Sequence, residues 1–536
     1  MKFINRRFFI KYLSLFFFIN LSDIKRSLAT GILKFYGDYE SSKLTINRYD
    51  QVIKYKNIFY KLRPEVELNY TTAGADERAW LVDSVNFMRL DDKELDGVNF
   101  KYYSSYVTPE MFGAVGNGVV DDSDAMEKCF SFHKRCIVLN NNATYLWTKK
   151  KIVNGKINVY AGNATIKCDG NFLEVVDGAG SKWIGGFLSS ISTPFTVLYD
   201  NDWSIKKSGL LGIGRMPFSD EIRVPKNYLN QKIGCALIFR SSNETVQSGL
   251  LVKGVNTNYG NIIVAGFKNT AFLDCKIRGG DHIAGISIIN GTREALLWGY
   301  NSSIDDLSHF EYGRGSNHKV INCEIYESRN NGVYVSGSDN VLIRNCSFFN
   351  NGESGLKTAQ YVVRDWTNTN CCCKNVAIID CIAKGQFYDG FDIQNAYGSG
   401  SGVFLDSYVK CMNNVSVENF HAGIVSQGGH NKIINCYVEG NGSHGIISKQ
   451  SKSVEIVDST AINNGQYWGG TEITLIGPDS KMENCKAVHT KGSKDYLLIN
   501  HQVGVQKPDV FGGRSIGNAC SNVKKCLLGK GIELIQ

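Results

Sequence analysis

Proline is scarce in this chain, 7 residues against 55 glycines in 536. Dense Lys/Arg runs are missing from its body, and with them the basic patch or stripe that nucleic-acid binders use, so no nucleic-acid partner is expected. The chain holds 16 cysteines, yet no two stand in Cys-x-x-Cys spacing, which speaks against a zinc framework. A regular leucine pattern and a 3.6-residue hydrophobic period are also absent, which excludes leucine-rich and helical repeats. With 43% hydrophobic residues, wholesale disorder is excluded as well. What remains is glycine with plentiful Val, Ile, Asn and aromatics, the composition of short strands joined by tight turns. The net charge of +8, from 59 basic and 51 acidic residues, is mild for this length. It suits an anionic glycan no better than it suits plain solubility.

The cysteines mark a repeat. Four segments align on them without adjustment: His318 to Cys323, Val341 to Cys346, Val376 to Cys381 and Asn431 to Cys436. In each, Asn or Asp precedes the cysteine, and a β-branched residue lies three before it (Val320, Ile343, Ile378, Ile433). A glycine follows nine residues later (Gly332, Gly355, Gly390, Gly445), and then an apolar residue (Val333, Leu356, Phe391, Ile446). Looser copies stand at Cys275 with Gly285, at Ser459 with Gly469, and at Cys485. The first two aligned cysteines are 23 residues apart; the 48 residues from Cys275 to Cys323 read as two units, and the 35 to Cys381 as one unit with an insertion. A period in the low twenties, built of strand-like runs and turn residues, is one coil of a right-handed parallel β-helix. Coils stack at about 4.8 Å, so equivalent positions form ladders. Inward positions take Cys, Val, Ile and Phe; turn positions take Asn, Asp or Gly, which tolerate left-handed backbone angles and can hydrogen-bond along the axis. Most cysteines are therefore expected as core filling, with Cys520 and Cys526 able to pair and Cys371-Cys372-Cys373 inside the insertion.

The expected fold is all-β, with four parts: an export signal over 1–29, a small module over 30–106, the β-helix over 107–510 and a C-terminal cap over 511–536. Asn5-Arg6-Arg7-Phe8-Phe9-Ile10-Lys11 precedes an apolar run over 12–21, and Ser27-Leu28-Ala29 ends in a small residue. This is the three-part plan of an export signal, and its paired arginines resemble a twin-arginine signal. The run is short for a bilayer, so no permanent membrane span is expected.

Segment 107–126 begins Val107-Thr108-Pro109-Glu110-Met111-Phe112-Gly113 and runs on to Asp121-Asp122-Ser123. It resembles the start of the pectate-lyase-like superfamily, and implies a capping helix with Asp121 and Asp122 at its start. In the preceding module, Tyr49-Asp50, Phe59-Tyr60, the run 68–74, Trp80 and residues 83–87 resemble the particle-to-enzyme junction of phage tailspikes. That resemblance implies a virion tail as an alternative location, a phage particle as partner, and a homotrimer.

The superfamily cleaves polysaccharides by two routes. Glycosidases place two or three carboxylates about the bond, whereas lyases abstract a proton beside a uronate, often with calcium. Tyr388-Asp389-Gly390-Phe391-Asp392-Ile393 resembles a carboxylate-bearing segment of family 28 glycosidases, with Phe387 where that family has Asn, and Ser443-His444-Gly445 resembles its Gly-His-Gly segment. The family's Asp-Asp pair is replaced by His421-Ala422 in the Gly423 coil, and its Arg-x-Lys motif is not evident. Two positions after the ladder glycine the expected column is Tyr334, Lys357, Asp392, Ile447; just before it, Asn331, Ser354, Asp389, His444, with Glu353 adjacent. The expected catalytic residues are Asp389, Asp392 and Glu353, with Lys357, His444 and Tyr334 binding substrate. The competing structural reading makes Lys357 and Asp392 a stacked surface ion pair and Asp389 a turn residue.

Weaker candidates are Asp281-His282 with Arg278, Asp305-Asp306 with His309 and Glu311, and the aromatics Trp366, Tyr397 and Trp468. The resulting expectation is a protein that binds a bacterial surface or capsular polysaccharide and depolymerises it, hydrolysis preferred over elimination, with no cofactor unless elimination calls for calcium. A non-catalytic glycan-binding solenoid and a structural virion component remain as alternatives.

Changing Arg6 and Arg7 together to Lys should abolish export by the twin-arginine route and leave ordinary secretion working. Fractionation of cells expressing the full chain checks this, and unchanged export of the double variant would remove the twin-arginine assignment.

Overall fold

The computed structural model describes residues 34–89, 106–191, 235–290, 313–358, 373–394 and 408–489 with gaps of a few residues, and four short strands between 499 and 535. The export segment lies outside the described residues. Two compact units separate between Val107 and Thr108.

In the first unit, Lys34–Asp38, Gln51–Tyr55, Ile58–Leu62 and Phe87–Arg89 form a four-stranded sheet. Its core gathers Tyr39, Ile53, Tyr55, Leu62, Trp80 and Phe87, with Trp80 supplied by the helix Glu77–Asp83. Asp83 at the end of that helix is fully buried. It accepts from the Tyr39 and Tyr70 hydroxyls, both at 2.5 Å, and from the Ala73 amide at 2.8 Å, so its charge is held by three donors.

The second unit is a parallel β-helix. Each coil supplies up to three strands, and each strand pairs in parallel with its equivalents in the neighbouring coils. The coil of Cys346 shows the plan: Ser338–Arg344, the Asn345-Cys346 corner, Ser347–Phe349, a second corner, then Leu356–Thr358. The third strand of each coil joins a twelve-stranded sheet among the described residues. The helix Ser123–Ser131 precedes the coils. The cap position is Asp122, whose side chain makes no capping bond; Asp121, one residue ahead, accepts from the Ser123 amide at 2.9 Å in an Asx turn. Asp122 instead accepts from the Val115 amide at 2.7 Å, and so ties down the glycine-rich turn ahead of the helix.

The ladders follow the sequence columns. Asp274, Asn322, Asn345, Asp380, Asn435, Asp458 and Asn484, each preceding the cysteine position, all have φ between 50° and 56°. Asn322 donates to Asp274 at 3.0 Å, Asn345 to Asn322 at 2.9 Å, and Asn435 to Asn413 at 2.9 Å. Cys275, Cys323, Cys346, Cys381, Cys436 and Cys485 point inward and are buried free thiols. Burial pushes the Cys436 and Cys485 thiols up to about 11. Cys373 is buried and free too, while Cys371, Cys372 and Cys526 lie outside the described residues.

Three details of the repeat differ from the sequence reading. Lys276–Arg278 pairs directly with Glu324–Tyr326, so Cys275 to Cys323 is one coil with a long insertion between Ile289 and Gly315, not two. The Gly423 coil between Cys381 and Cys436, left out of the sequence columns, belongs in them: Asn414 fills its cysteine position and accepts from the Cys381 amide at 2.9 Å. In the coil of Ser459 the ladder-glycine position is Glu472, not Gly469, because Ile446 pairs with Ile473.

Inside the helix a second ladder is made of amides. The backbone N–H of Asn351, Gln386, Asn419 and Asn441 each donates to the side-chain oxygen of the next member, ending at Asn464, at 3.0 to 3.1 Å. Asn464 donates to Glu472 at 2.9 Å, and His489 meets the same carboxylate at 3.0 Å. Burial raises the pKa of Glu472 above the ordinary carboxylate range, while its bonds to Asn464 and His489 oppose the shift.

Cys323, Cys346, Cys381 and Cys436 should resist a thiol reagent in the native state and react on unfolding; rapid native labelling of all four would contradict the register. Val333→Asp or Phe391→Asp should cost about 4 kcal/mol or more in denaturant melts, since each places an unpaired charge in the core.

Candidate active site

The glycine ladder sets the geometry. A Cβ on Gly332, Gly355, Gly390 or Gly423 would lie 2.5 to 2.7 Å from the carbonyl oxygen of the next ladder glycine. Only glycine permits that approach, which locks successive coils in register and stacks the residues on either side of it.

Two positions after the glycine, the observed column is Tyr334, Lys357, Asp392, Val425 and Ile447. Just before it, the order is Asn331, Ser354, Asp389, Ala422 and His444, as the amide bonds of the ladder glycines show. Val425 and Ala422 belong to the Gly423 coil, so Ile447 and His444 each stand two coils from Asp392 and Asp389.

Lys357 sits between two carboxylates: its ammonium pairs with Glu353 in its own coil and with Asp392 of the next at 3.4 Å. The other Glu353 oxygen accepts from Asn331 at 3.1 Å, and the Asn331 side-chain oxygen accepts from the Ser354 amide at 3.2 Å. This is not the exposed ion pair of the structural reading, because the Lys357, Glu353 and Asp392 side chains are only 14%, 12% and 1% exposed. Burial pulls the Lys357 ammonium down, but Glu353, Asp392 and Asp389 together outweigh it and hold it well above the usual lysine range.

Asp389 is buried at the mouth of the same corner. One of its oxygens accepts from the Ala422 amide at 2.8 Å and meets His421 Nδ1 at 2.7 Å. An ionised carboxylate only accepts, so Nδ1 carries the hydrogen. The His421 ring lies flat on Tyr388, centroids 4.4 Å apart and planes 10° from parallel. Burial raises the Tyr388 phenol strongly, and the charges of Asp389, Asp392 and Glu353 add to it against Lys357. Those shared electrostatics place Tyr388, Asp389, Asp392, Lys357 and Glu353 in one cluster.

Of the residues expected from sequence, Glu353, Lys357, Asp389 and Asp392 come together, and Tyr334 is the column neighbour of Lys357. His444 does not join them: its Nδ1 accepts from the Thr471 amide at 3.0 Å. Sequence reasoning missed His421, visible only as the residue standing where an Asp-Asp pair was sought. Counting the Gly423 coil into the column would have placed it beside Tyr388. Asp281-His282, Asp305, Asp306, His309, Glu311, Trp366, Tyr397 and Trp468 lie outside the described residues. Arg278 is engaged elsewhere, donating to Glu327 at 2.6 Å and lying over the Tyr259 ring.

A calcium ion, which elimination would call for, does not fit between Glu353 and Asp392, because the Lys357 ammonium occupies that place. Among the described residues, no group of three or more His, Cys, Asp or Glu is arranged to hold a metal. No helix among them is long and apolar enough to cross a membrane.

Residues 260–397, which carry most of this cluster, match the family model described as a right-handed β-helix region. Among solved structures, the siphovirus 9NA tailspike receptor-binding domain superposes with a TM-score of 0.60 at 15% identity, covering 83% of this chain and 78% of that one. The receptor-binding tailspike of bacteriophage Det7 superposes with a TM-score of 0.54 at 15% identity, covering 82% and 78%. The chain thus has a right-handed parallel β-helix fold like those of these two phage tailspikes. A capsule-specific depolymerase of Klebsiella phage K64-1 is 44% identical over 48 residues, which are 9% of this chain and 6% of that protein.

Lys357→Met should destabilise the protein by about 3–5 kcal/mol near pH 7, because Glu353 and Asp392 are left facing each other without a cation. Urea melts of the two proteins check this; a loss under about 1 kcal/mol would mean that the pair acts as an exposed one.

Proposed function

We propose that this protein binds a bacterial surface or capsular polysaccharide and cleaves its glycosidic bonds by hydrolysis. The observation that carries the reading is the meeting of Glu353 and Asp392 on one largely buried ammonium, beside the Asp389–His421 pair. Sharing one ammonium keeps the two carboxylates no wider apart than the range, about 5 to 9.5 Å, that glycosidases use. One face of such a cluster can deliver a proton to the leaving oxygen while a carboxylate activates water or attacks the anomeric carbon.

Elimination is disfavoured by the same groups. A lysine held protonated by three carboxylates is not a base at neutral pH, and a phenol raised as Tyr388 is cannot supply one. Glu353, Asp389 and Asp392 against Lys357 also make the corner net acidic, which repels the uronate that elimination requires. The likeness to tailspikes and to a capsule depolymerase supports the substrate class and a virion location; a homotrimer, and export as the alternative location, are part of the same proposal. A second reading, glycan binding without cleavage, is favoured by the way Lys357 neutralises the carboxylates.

Incubation with a panel of purified Klebsiella and other capsular polysaccharides, followed by fragment analysis, separates the two. Asp392→Asn and Glu353→Gln should each lower turnover by about 10²-fold or more with glycan binding retained. Asp122→Asn, at the glycine-rich turn, should lower stability alone. If both carboxylate variants keep wild-type turnover, the corner is scaffold; if the wild type binds and cuts nothing, the protein is a binding solenoid. Light scattering checks the trimer.

A further inference from the structure

We propose that His421 is the proton donor of this site and that Asp389 is its positioning residue rather than a reacting carboxylate. The inference rests on the hydrolytic reading above. Asp389 is buried, and the oxygen facing His421 also accepts the Ala422 amide, so that oxygen is committed to holding the ring. The ring, by contrast, is 22% exposed. Its orientation is fixed twice, by the carboxylate at Nδ1 and by the Tyr388 face beneath it. With Nδ1 bound to Asp389, proton exchange with a substrate has to pass through Nε2. The coil-to-coil amide bonds place His421 next to Tyr388, with Glu353 one coil further.

The chemistry of the cluster needs such a donor. Lys357 engages both Glu353 and Asp392, which leaves the proton donor to be sought outside that ion pair. Nε2–H of the His421 imidazolium protonates the glycosidic oxygen as the bond to the anomeric carbon breaks and its electron pair passes to that oxygen. Water forms the new bond at the anomeric carbon and gives its proton to the Asp392 or Glu353 carboxylate. That proton returns to His421 through solvent, which restores both groups. The titratable groups facing the ring are Asp389 and Tyr388 on the preceding coil, with Lys357, Asp392 and Glu353 further along the corner; on the following coil Ser443 stacks on His421.

The test uses the full chain labelled with 15N-histidine, the His421 signals being identified by their loss in His421→Gln. Nδ1 should stay protonated throughout the titration, and Asp389→Asn should move the Nε2 titration down by about one pH unit or more. On whichever capsule of the panel the wild type cleaves, His421→Gln should lose about 10²-fold or more in kcat and flatten the alkaline limb of the profile. Asp389→Asn should shift that limb to lower pH. His421→Phe, which keeps the stack on Tyr388, separates a lost proton from lost packing and should be as slow as His421→Gln. Melting temperatures exclude unfolding, and the two ring variants stand alone if Asp389→Asn does not fold. Wild-type turnover in His421→Gln, with Asp392→Asn and Glu353→Gln inactive, overturns the assignment and leaves the hydrolytic reading standing. Retained turnover in all of them, or no cleavage of any capsule, overturns both.

Discussion

The close approach of backbone to backbone at the glycine ladder governs this structure. With successive ladder carbonyls so near that no Cβ fits between them, the coils have no freedom to slide, and every other column inherits that register. Strand pairing alone would leave each coil able to slip against its neighbour by a residue. The ladder removes that freedom along the corner where Glu353, Lys357, Asp389 and Asp392 meet.

A narrow solenoid interior cannot be filled by apolar groups alone, because each coil turns corners that expose backbone amides inward. The amide ladder from Asn351 to Asn464 satisfies those amides, and Glu472 closes it where the glycine column stops. A buried carboxylate there would be costly without partners; Asn464 and His489 supply them. The outer asparagines do a different job, holding left-handed corners while bonding along the axis. Polar residues thus organise the coil inside and out, while Cys, Val, Ile and Phe fill what is left.

The candidate site grows out of the same geometry. Residues flanking the ladder glycine stack one per coil, so a cation in one coil can reach carboxylates in its own coil and the next, and a histidine can lie on the tyrosine of its neighbour. Burial then makes these contacts matter: at the exposure of Asp392 and Lys357 the charges cannot be left to water, and their pairing sets which groups stay protonated.

The cysteine, asparagine and glycine columns were legible because a repeated environment imposes the same residue type at a constant spacing. The fold class, the inward cysteines and the left-handed corners followed from that recurrence. So did the clustering of Glu353 with Lys357, Asp389 and Asp392, since these residues lie in adjacent coils with clear markers. What escaped were the places where the marker or the spacing changes. The long insertion after Ile289 looked like an extra coil, and the Gly423 coil was left out of the columns because Asn414 replaces its cysteine by bonding to the amide beside it. That omission put His444 one coil too close to Asp389 and left His421 unmatched with Tyr388. The sequence by itself determined the solenoid and its chemical columns, because those depend on side-chain size and backbone preference at each position. Only the tertiary structure decided which coil is neighbour to which, and so which histidine meets Asp389, because contact across coils depends on a count of turns that insertions erase from the linear period.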